Sequence, residues 1–321
     1  MNDLTPRKLK GSLVERAAEV YDLNHFMRLP DHPAAVVVDP VPMAAATPVA
    51  SVDNLPIAEP HRTTTYAAPA VPEPVRMGAV SIDRARLAEK GLLVPGAPIG
   101  PLAEEFRLVK RHLINTAQLV EQQAPGKART ILVCSAQPND GKTYCAINLA
   151  ISIAAERDTE VLLVDADFAK PDILTQLSVP AGPGLLDALA DPGVEIERCV
   201  IPTDIPHLSL LPAGSKMTGD TELLASRRTG QLIEALLAAD PRRLVIFDSP
   251  PALAASPASV LANHVGQVML VVRADHTSES DLRESVAMLD GCEHIQLVLN
   301  AVSYAPGRRR FGSYYGQEDA K

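Results

Sequence analysis

The sequence predicts a doubly wound α/β domain with a mostly parallel sheet. From Thr130 onward, short apolar segments alternate with longer segments of helical character. The apolar segments are nearly continuous runs of Val, Ile and Leu, as expected of parallel strands that helices cover on both faces. The first of them leads into a polar, glycine-containing loop and then into a helix. Sheets of this kind bind ligands at the carboxyl ends of their strands, so functional residues are expected there.

The strand candidates are short, rich in β-branched residues and separated by turn-forming segments. They are Thr130–Ser135, Val161–Asp165, Leu208–Pro212, Leu244–Asp248, Val268–Arg273 and Ile295–Asn300. Helices are predicted in the intervals, for example over Lys142–Ala155, Glu222–Ala239 and Ser280–Leu289. We expect this domain to extend from residue 81 to residue 302.

Two further helices are predicted before the first strand. The first begins at Ser81, which we expect to cap it, and stops at Gly91. The second begins after Pro101, and its apolar residues fall on one stripe. The stripe consists of Leu102, Phe106, Val109, Leu113 and Val120. Charged residues lie on the opposite side or at its margin, namely Glu104, Arg107, Lys110 and Arg111.

The chain outside residues 81–302 has a different composition. Leu13–Met27 has apolar residues at helical spacing, which predicts a short amphipathic helix within residues 1–28. Residues 29–80 are rich in Pro and Ala, which predicts a flexible, disordered linker. Residues 303–321 form a polar tail that contains Tyr304, Tyr314 and Tyr315.

Composition excludes some classes of protein. The net charge of −9 and the absence of Trp argue against a nucleic-acid-binding protein, which needs a basic face and often aromatic platforms. The four cysteines are scattered, which predicts buried free thiols in a reducing compartment. No segment resembles a membrane span or a signal peptide, so we expect a cytoplasmic protein that reaches the membrane through a partner.

The loop after the first strand predicts a phosphate-binding site. It reads A-Q-P-N-D-G-K-T and matches the phosphate-binding loop, except that Ala136 replaces the first glycine. Backbone N–H groups in such a loop surround phosphates, the lysine reaches the β- and γ-phosphates, and the threonine hydroxyl binds Mg²⁺. The predicted nucleotide-binding residues here are Ala136, Gln137, Pro138, Asn139, Asp140, Gly141, Lys142, Thr143 and Tyr144.

Acidic residues end two of the predicted strands. Asp165 and Asp167 end the second strand, and Asp248 ends the segment L-V-I-F-D. Since parallel strands end at one edge of the sheet, these carboxylates should converge with Lys142 and Thr143. Phosphoryl transfer needs such a set: cations that offset phosphate charge, a hydroxyl and an acid for Mg²⁺, and an acid that accepts a proton.

These motifs resemble those of the bacterial tyrosine kinases, the BY-kinase family. Ala136–Thr143, Val161–Pro171 and Leu244–Pro251 resemble its Walker A, Walker A′ and Walker B motifs. Glu104-x-x-Arg107-x-x-Lys110 resembles the family's oligomerisation motif, and F-G-S-Y-Y-G resembles a short form of its tyrosine cluster. The segments S-L-V-E-R-A, S-I-D-R-A-R-L-A-E-K-G-L-L and E-E-F-R-L-V-K-R are most similar to the subgroup associated with exosortase-A exopolysaccharide loci.

The resemblance implies a P-loop NTPase fold of the MinD/ParA-like type and an ATP- and Mg²⁺-dependent tyrosine autokinase that regulates exopolysaccharide polymerisation or export. Lys142 and Thr143 would bind Mg·ATP, and Asp248 would hold Mg²⁺. Asp165 would be the base or a metal ligand, with Asp167 beside it. Asn300 resembles the adenine-contacting asparagine of related ATPases.

The resemblance also implies how the kinase assembles and what it modifies. Autophosphorylation is expected on Tyr304, Tyr314 and Tyr315. A homo-oligomer, which could be a ring, would form through Glu104, Arg107, Lys110 and Arg111. The expected activator is a membrane protein that resembles a chain-length determinant or polysaccharide co-polymerase.

Departures from the family pattern leave two alternatives open. Ala169 stands where Walker A′ usually has Arg, with Lys170 next to it, and the tail has few tyrosines. One alternative is a MinD/ParA-like ATPase switch, although Gln137 occupies the position of the signature lysine of those proteins. The other is a kinase-dead, nucleotide-binding adaptor of a polysaccharide transporter, against which the intact Lys142, Thr143, Asp165 and Asp248 argue.

Overall fold

The computed structural model describes residues 78–217 and 219–303. Their centre is a seven-stranded sheet in the order β3-β4-β2-β5-β1-β6-β7, in which only β3 runs antiparallel to its neighbour. The strands are β1 (Thr130–Ser135), β2 (Glu160–Asp165), β3 (Ile201–Pro202), β4 (Leu208–Leu211), β5 (Arg243–Asp248), β6 (Gln267–Arg273) and β7 (Ile295–Asn300). The predicted fold class is confirmed.

Helices cover both faces of this sheet. They are α1 (Arg84–Glu89), α2 (Pro101–Gln123), α3 (Lys142–Ala154), α4 (Ile173–Leu177), α5 (Leu185–Ala190), α6 (Asp220–Leu224), α7 (Arg227–Ala239), α8 (Pro257–Ala262) and α9 (Glu279–Met288). One apolar core joins α1 to α4 with alternate strand residues such as Ile131 and Ile246. The other joins α5 to α9 with the intervening residues, such as Leu132 and Phe247. This alternation explains why the strands read as continuous apolar runs.

The predicted stripe on α2 is confirmed, because Phe106, Leu113 and Val120 are buried and Leu102 and Val109 pack against the same core. The four cysteines are buried and free, as predicted. None of the described helices is long and apolar enough to cross a membrane. The predicted N-terminal helix, the linker up to residue 77 and the tail tyrosines lie outside the described residues.

Two local predictions are wrong, and one short strand was not predicted. Ser81 does not cap α1, because its hydroxyl donates to Asp204 Oδ2 at 2.9 Å, whereas Asp83 accepts hydrogen bonds from the first-turn N–H groups. The helix predicted over Glu222–Ala239 is two helices, α6 and α7, because the backbone is extended at Ser226. The two-residue strand β3 was missed, since it is too short to show a periodic pattern.

Candidate active site

The order of the strands brings the three motifs to one edge of the sheet. Strand β5 lies between β1 and β2, so the loop after β1 is adjacent to the ends of both acidic strands. Asp165 and Asp248 are register partners on β2 and β5. The predicted convergence of Lys142, Asp165, Asp167 and Asp248 is therefore present in the fold.

Glycine is required in the loop at Gly141. Its φ is +95°, and a Cβ there would come within 2.1 Å of the Asn300 side-chain nitrogen. The positive φ disfavours any other residue, and a Cβ would also force the Asn300 amide away from the loop. Asp140, which is completely buried, accepts the Gln137 N–H at 3.0 Å through Oδ2 and so closes the loop on itself.

Residues from β6, β7 and the segment after β6 hold this loop in place. Asn300 Nδ2 donates to the Asp140 carbonyl at 2.9 Å, and Arg273 donates to the Asn139 carbonyl at 3.0 Å. His276 Nδ1 lies 3.2 Å from Asp140 Oδ1, an ion pair when the imidazole is protonated. Asn300 thus contacts the phosphate-binding loop, and its predicted contact with adenine stays a prediction. Sequence reasoning missed Arg273 and His276; the only signal was their place at or just after the carboxyl end of β6.

Lys142 points into the cluster of aspartates. Its Nζ lies 2.9 Å from Asp167 Oδ2, and 15% of its side chain is exposed. Burial alone would lower the pKa of Lys142, but the negative charges of Asp248, Asp167 and Asp165 outweigh burial and raise it. The ammonium group is therefore charged at neutral pH and available to an anion at the sheet edge.

Asp165 is a buried carboxylate held by backbone N–H groups. Oδ2 accepts from Asp172 at 3.0 Å and from Ile173 at 3.1 Å, and Oδ1 accepts from Asp167 at 3.3 Å. Burial raises the pKa of Asp165 to about 6, although these hydrogen bonds favour the ionised form. Asp165 consequently both positions the start of α4 and titrates near neutral pH.

Asp248 is the most unusual group at this edge. It is 1% exposed, and neither carboxylate oxygen accepts a hydrogen bond of normal geometry. Burial raises its pKa to about 7; nearby Lys142 and Thr143 oppose the rise, and Asp165 and Asp167 add to it. A buried carboxylate without a hydrogen-bond partner is costly, which indicates a site for a cationic ligand. A Mg²⁺ ion held by Asp248 and the Thr143 hydroxyl fits these oxygen donors.

Other predicted site residues lie elsewhere. Glu104 and Arg107 pair with each other on α2 at 2.5 Å, and Arg111 is exposed. Lys110 instead contacts its own domain, since its Nζ donates to the Ser152 carbonyl at 3.1 Å and pairs with Glu156. The Tyr144 hydroxyl donates to the Gly91 carbonyl at 2.7 Å.

The site combines a loop that requires glycine at the start of a helix, a lysine in that loop, and aspartates at the ends of parallel strands. This combination defines a P-loop nucleotide-binding protein.

No protein-family profile matches the sequence. Tyrosine-protein kinase Wzc of Salmonella typhimurium is 30% identical over 241 residues, which are 74% of this chain and 32% of Wzc. Tyrosine-protein kinase YwqD of Bacillus subtilis is 28% identical over 244 residues, which are 75% of this chain and 98% of YwqD. This chain thus spans about a third of the length of Wzc.

Two solved structures of bacterial kinase domains are similar to this chain. The VpsO kinase domain is 28% identical with a TM-score of 0.50 and covers 61% of this chain and 98% of its own. The kinase domain of the Escherichia coli tyrosine kinase ETK is 24% identical to this chain, with a TM-score of 0.55. The match covers 72% of this chain and 93% of the ETK domain, and it shows that the two share a fold. The homologues of this chain are bacterial tyrosine-protein kinases, so the resemblance to that family is confirmed. The resemblance to the exosortase-A-associated subgroup stays a prediction.

Proposed function

We propose that this protein is an ATP- and Mg²⁺-dependent protein-tyrosine autokinase. The observation that carries the proposal is the pairing of Lys142 with Asp167 at 2.9 Å beside Asp248, a buried carboxylate without a hydrogen-bond partner. This arrangement suits a metal-bound phosphate at the loop. Its homologues are named tyrosine-protein kinases, which favours a tyrosine hydroxyl as the acceptor.

Each residue has a distinct role in the proposed transfer. N–H groups of the loop and the start of α3 bind phosphate oxygens, and Lys142 offsets the charge of the transferred group. The phenol oxygen bonds to the γ-phosphorus while the bond to the β–γ bridging oxygen breaks, which releases ADP. Asp165, with a pKa of about 6, accepts the phenol proton, and Asp167 holds Lys142 in place. Asp248 and Thr143 would hold Mg²⁺, which would supply further positive charge beside the phosphates.

The proposal includes an assembly in which one subunit phosphorylates the tail of another. The kinase domain at 81–302 carries the tail at 303–321, and Tyr304, Tyr314 and Tyr315 are the proposed acceptors. Subunits associate through α2, where Arg107 and Arg111 are exposed. Lys110 is a weaker candidate for that contact than the motif implies, because its ammonium group is bound within its own domain.

The proposed role is the regulation of exopolysaccharide polymerisation or export by a protein that lies in the cytoplasm. The resemblance to the exosortase-A-associated subgroup supports it. A membrane partner of the chain-length-determinant type would recruit the protein to the inner membrane, with the helix at 1–28 and the linker at 29–80 as the tether. Deletion of residues 1–77 should then lower recruitment by that partner and leave catalysis intact, as measured by co-sedimentation with membranes and by phosphorylation.

Incubation of the purified protein with Mg·ATP, followed by anti-phosphotyrosine blotting and mass spectrometry, tests the function. Phosphotyrosine on the protein supports the kinase. ATP hydrolysis without phosphotyrosine would support the MinD/ParA-like switch instead. Nucleotide binding with neither product would support the adaptor.

A further inference from the structure

A small cavity lies beside the phosphate-binding loop, on the side of α1 and α4. Its volume is about 280 Å³, which is at the lower end for ligand sites and suits a single side chain. Loop residues, including Gly141 and Lys142, form one wall. The remaining walls are formed by Lys90, Leu92, Tyr144, Ile147, Lys170, Asp172 and Gln176.

One part of the cavity is apolar. Leu92 is 6% exposed and Ile147 is 1% exposed, so both belong to the core beneath the cavity. The ring of Tyr144 is fixed next to them, because its hydroxyl donates to the Gly91 carbonyl at 2.7 Å. The half-buried Tyr144 ring is the accessible apolar surface above this core, and an aromatic ring can pack on it within reach of Lys142, which lies in the adjacent wall.

The rim of the cavity carries positive charge on a chain whose net charge is −9. Lys90 is fixed, since its Nζ donates to the carbonyls of Gln176 at 3.0 Å and Thr175 at 3.4 Å. Lys170 has an exposed side chain and forms no ion pair with any residue in the described ranges, and its own N–H is anchored on Asp167 at 3.1 Å. Asp172 also lines the cavity, and its Oδ2 accepts a hydrogen bond from Gln176 Nε2 at 2.7 Å. The two lysines therefore outnumber this carboxylate beside the apolar part of the cavity.

We infer that this cavity binds the ring of the acceptor tyrosine and that Lys170 and Lys90 select acidic residues on the C-terminal side of that tyrosine. The inference rests on the proposed function and names its acceptor. The chain's own tail has the matching pattern, because Tyr315 is followed by Gly-Gln and then Glu318 and Asp319. The positive lysines would attract the acidic residues and fix the position of the peptide along the cavity, whereas the apolar part of the cavity would bind the aromatic ring.

Binding of a labelled peptide to the full chain in Mg·ADP tests this site without requiring catalysis. The probe is G-S-Y-Y-G-Q-E-D-A-K, compared with a peptide in which Gln and Asn replace the two acids and with one in which Ala replaces both tyrosines. We expect Lys170→Ala to weaken binding of the acidic peptide about threefold to fivefold, as for an exposed ion pair, and Lys170→Glu to weaken it further. Neither variant should change binding of the uncharged peptide or the affinity for ADP.

The control is Lys216→Ala, an exposed lysine that does not line the cavity and should leave binding unchanged. Replacement of both tyrosines by Ala should abolish measurable binding. Equal binding of acidic and uncharged peptides by the wild-type chain, or an effect of Lys216→Ala equal to that of Lys170→Ala, would overturn the inference. If peptides bind as expected but no tyrosine is phosphorylated in Mg·ATP, the site stands and the proposed function fails.

Discussion

Asp165 and Asp248 occupy the same register level on neighbouring parallel strands, so two buried carboxylates stand side by side at the sheet edge. Backbone N–H groups bind Asp165, whereas Asp248 has no hydrogen-bond partner. Burial raises the pKa of both groups. The site is thus arranged for a cationic ligand at the expense of the stability of the free protein.

Asp248→Asn should stabilise the protein in the absence of nucleotide and Mg²⁺ while it abolishes phosphorylation. At pH 8 the substitution removes a buried charge without a partner, which should raise the free energy of unfolding by about 1 kcal/mol or more. Urea denaturation in EDTA measures the effect. The matched control is Asp240→Asn at the surface, which removes an ion pair with Arg242 and should slightly destabilise the protein. A less stable Asp248→Asn protein would contradict this account of Asp248.

The same two carboxylates predict a pH dependence of stability. Their folded-state pKa values, about 6 and about 7, exceed the ordinary value of 3.8. Between about pH 4 and pH 7 the unfolded chain has released these protons, whereas the folded chain still holds them. The contribution of the two carboxyl groups to the free energy of unfolding therefore falls as pH rises. Unfolding of the metal-free protein at several pH values should show this decline. The free energy of unfolding of Asp248→Asn should decline less with pH than that of the wild type. Equal slopes of stability against pH would refute the raised pKa of Asp248.

Lys142→Met should reduce the rate of tyrosine phosphorylation by about 10²–10³-fold, because it removes the charge that faces the transferred phosphate. Circular dichroism should show the wild-type secondary structure, so that the loss is attributable to chemistry. Lys216→Met, an exposed lysine after β4, is the control and should keep full activity. Near-normal activity of Lys142→Met would rule out the P-loop as the catalytic site.

Arg107→Ala combined with Arg111→Ala should yield monomers by multi-angle light scattering. Both residues are exposed on α2, opposite its buried stripe, so the fold should remain intact. Lys110→Ala should have a smaller effect on assembly and a larger one on thermal stability, since Lys110 joins α2 to the end of α3. Arg198→Ala, at an exposed position away from α2, is the control. Persistence of the wild-type oligomer in the double variant would show that α2 is not the interface.

Mass spectrometry of protein treated with Mg·ATP should find phosphate mainly on Tyr314 or Tyr315, and less on Tyr304. Each phosphate adds about −1.5 to −2 charges, which the aspartate-rich site should repel once transfer is complete. The oligomer should therefore loosen in ATP, whereas the variant with Tyr314→Phe and Tyr315→Phe should stay assembled. Tyr304→Phe serves as the control. Phosphate only on Tyr21, Tyr66 or Tyr144 would mean that the tail is not the substrate.

Sequence patterns predicted the elements well where burial is periodic. The bounds of β1 and β7 agree with prediction, and those of β2, β5 and β6 differ by one residue at their starts. The patterns failed where a tertiary contact decides the local conformation. Asp204 binds the Ser81 hydroxyl that was expected to cap α1, and buried Leu224 packs on the core so that the chain turns at Ser226 before α7.

The sequence by itself determined the class of fold and the chemical groups of the candidate site, because apolar periodicity and the loop A-Q-P-N-D-G-K-T are local properties of the chain. Only the tertiary structure decided how those groups are used. Strand order placed β5 between β1 and β2, and burial left Asp248 without a partner while it tied Lys142 to Asp167. Arg273, His276 and the cavity beside Lys170 depend on residues far apart in the chain, and no local pattern records which of them meet.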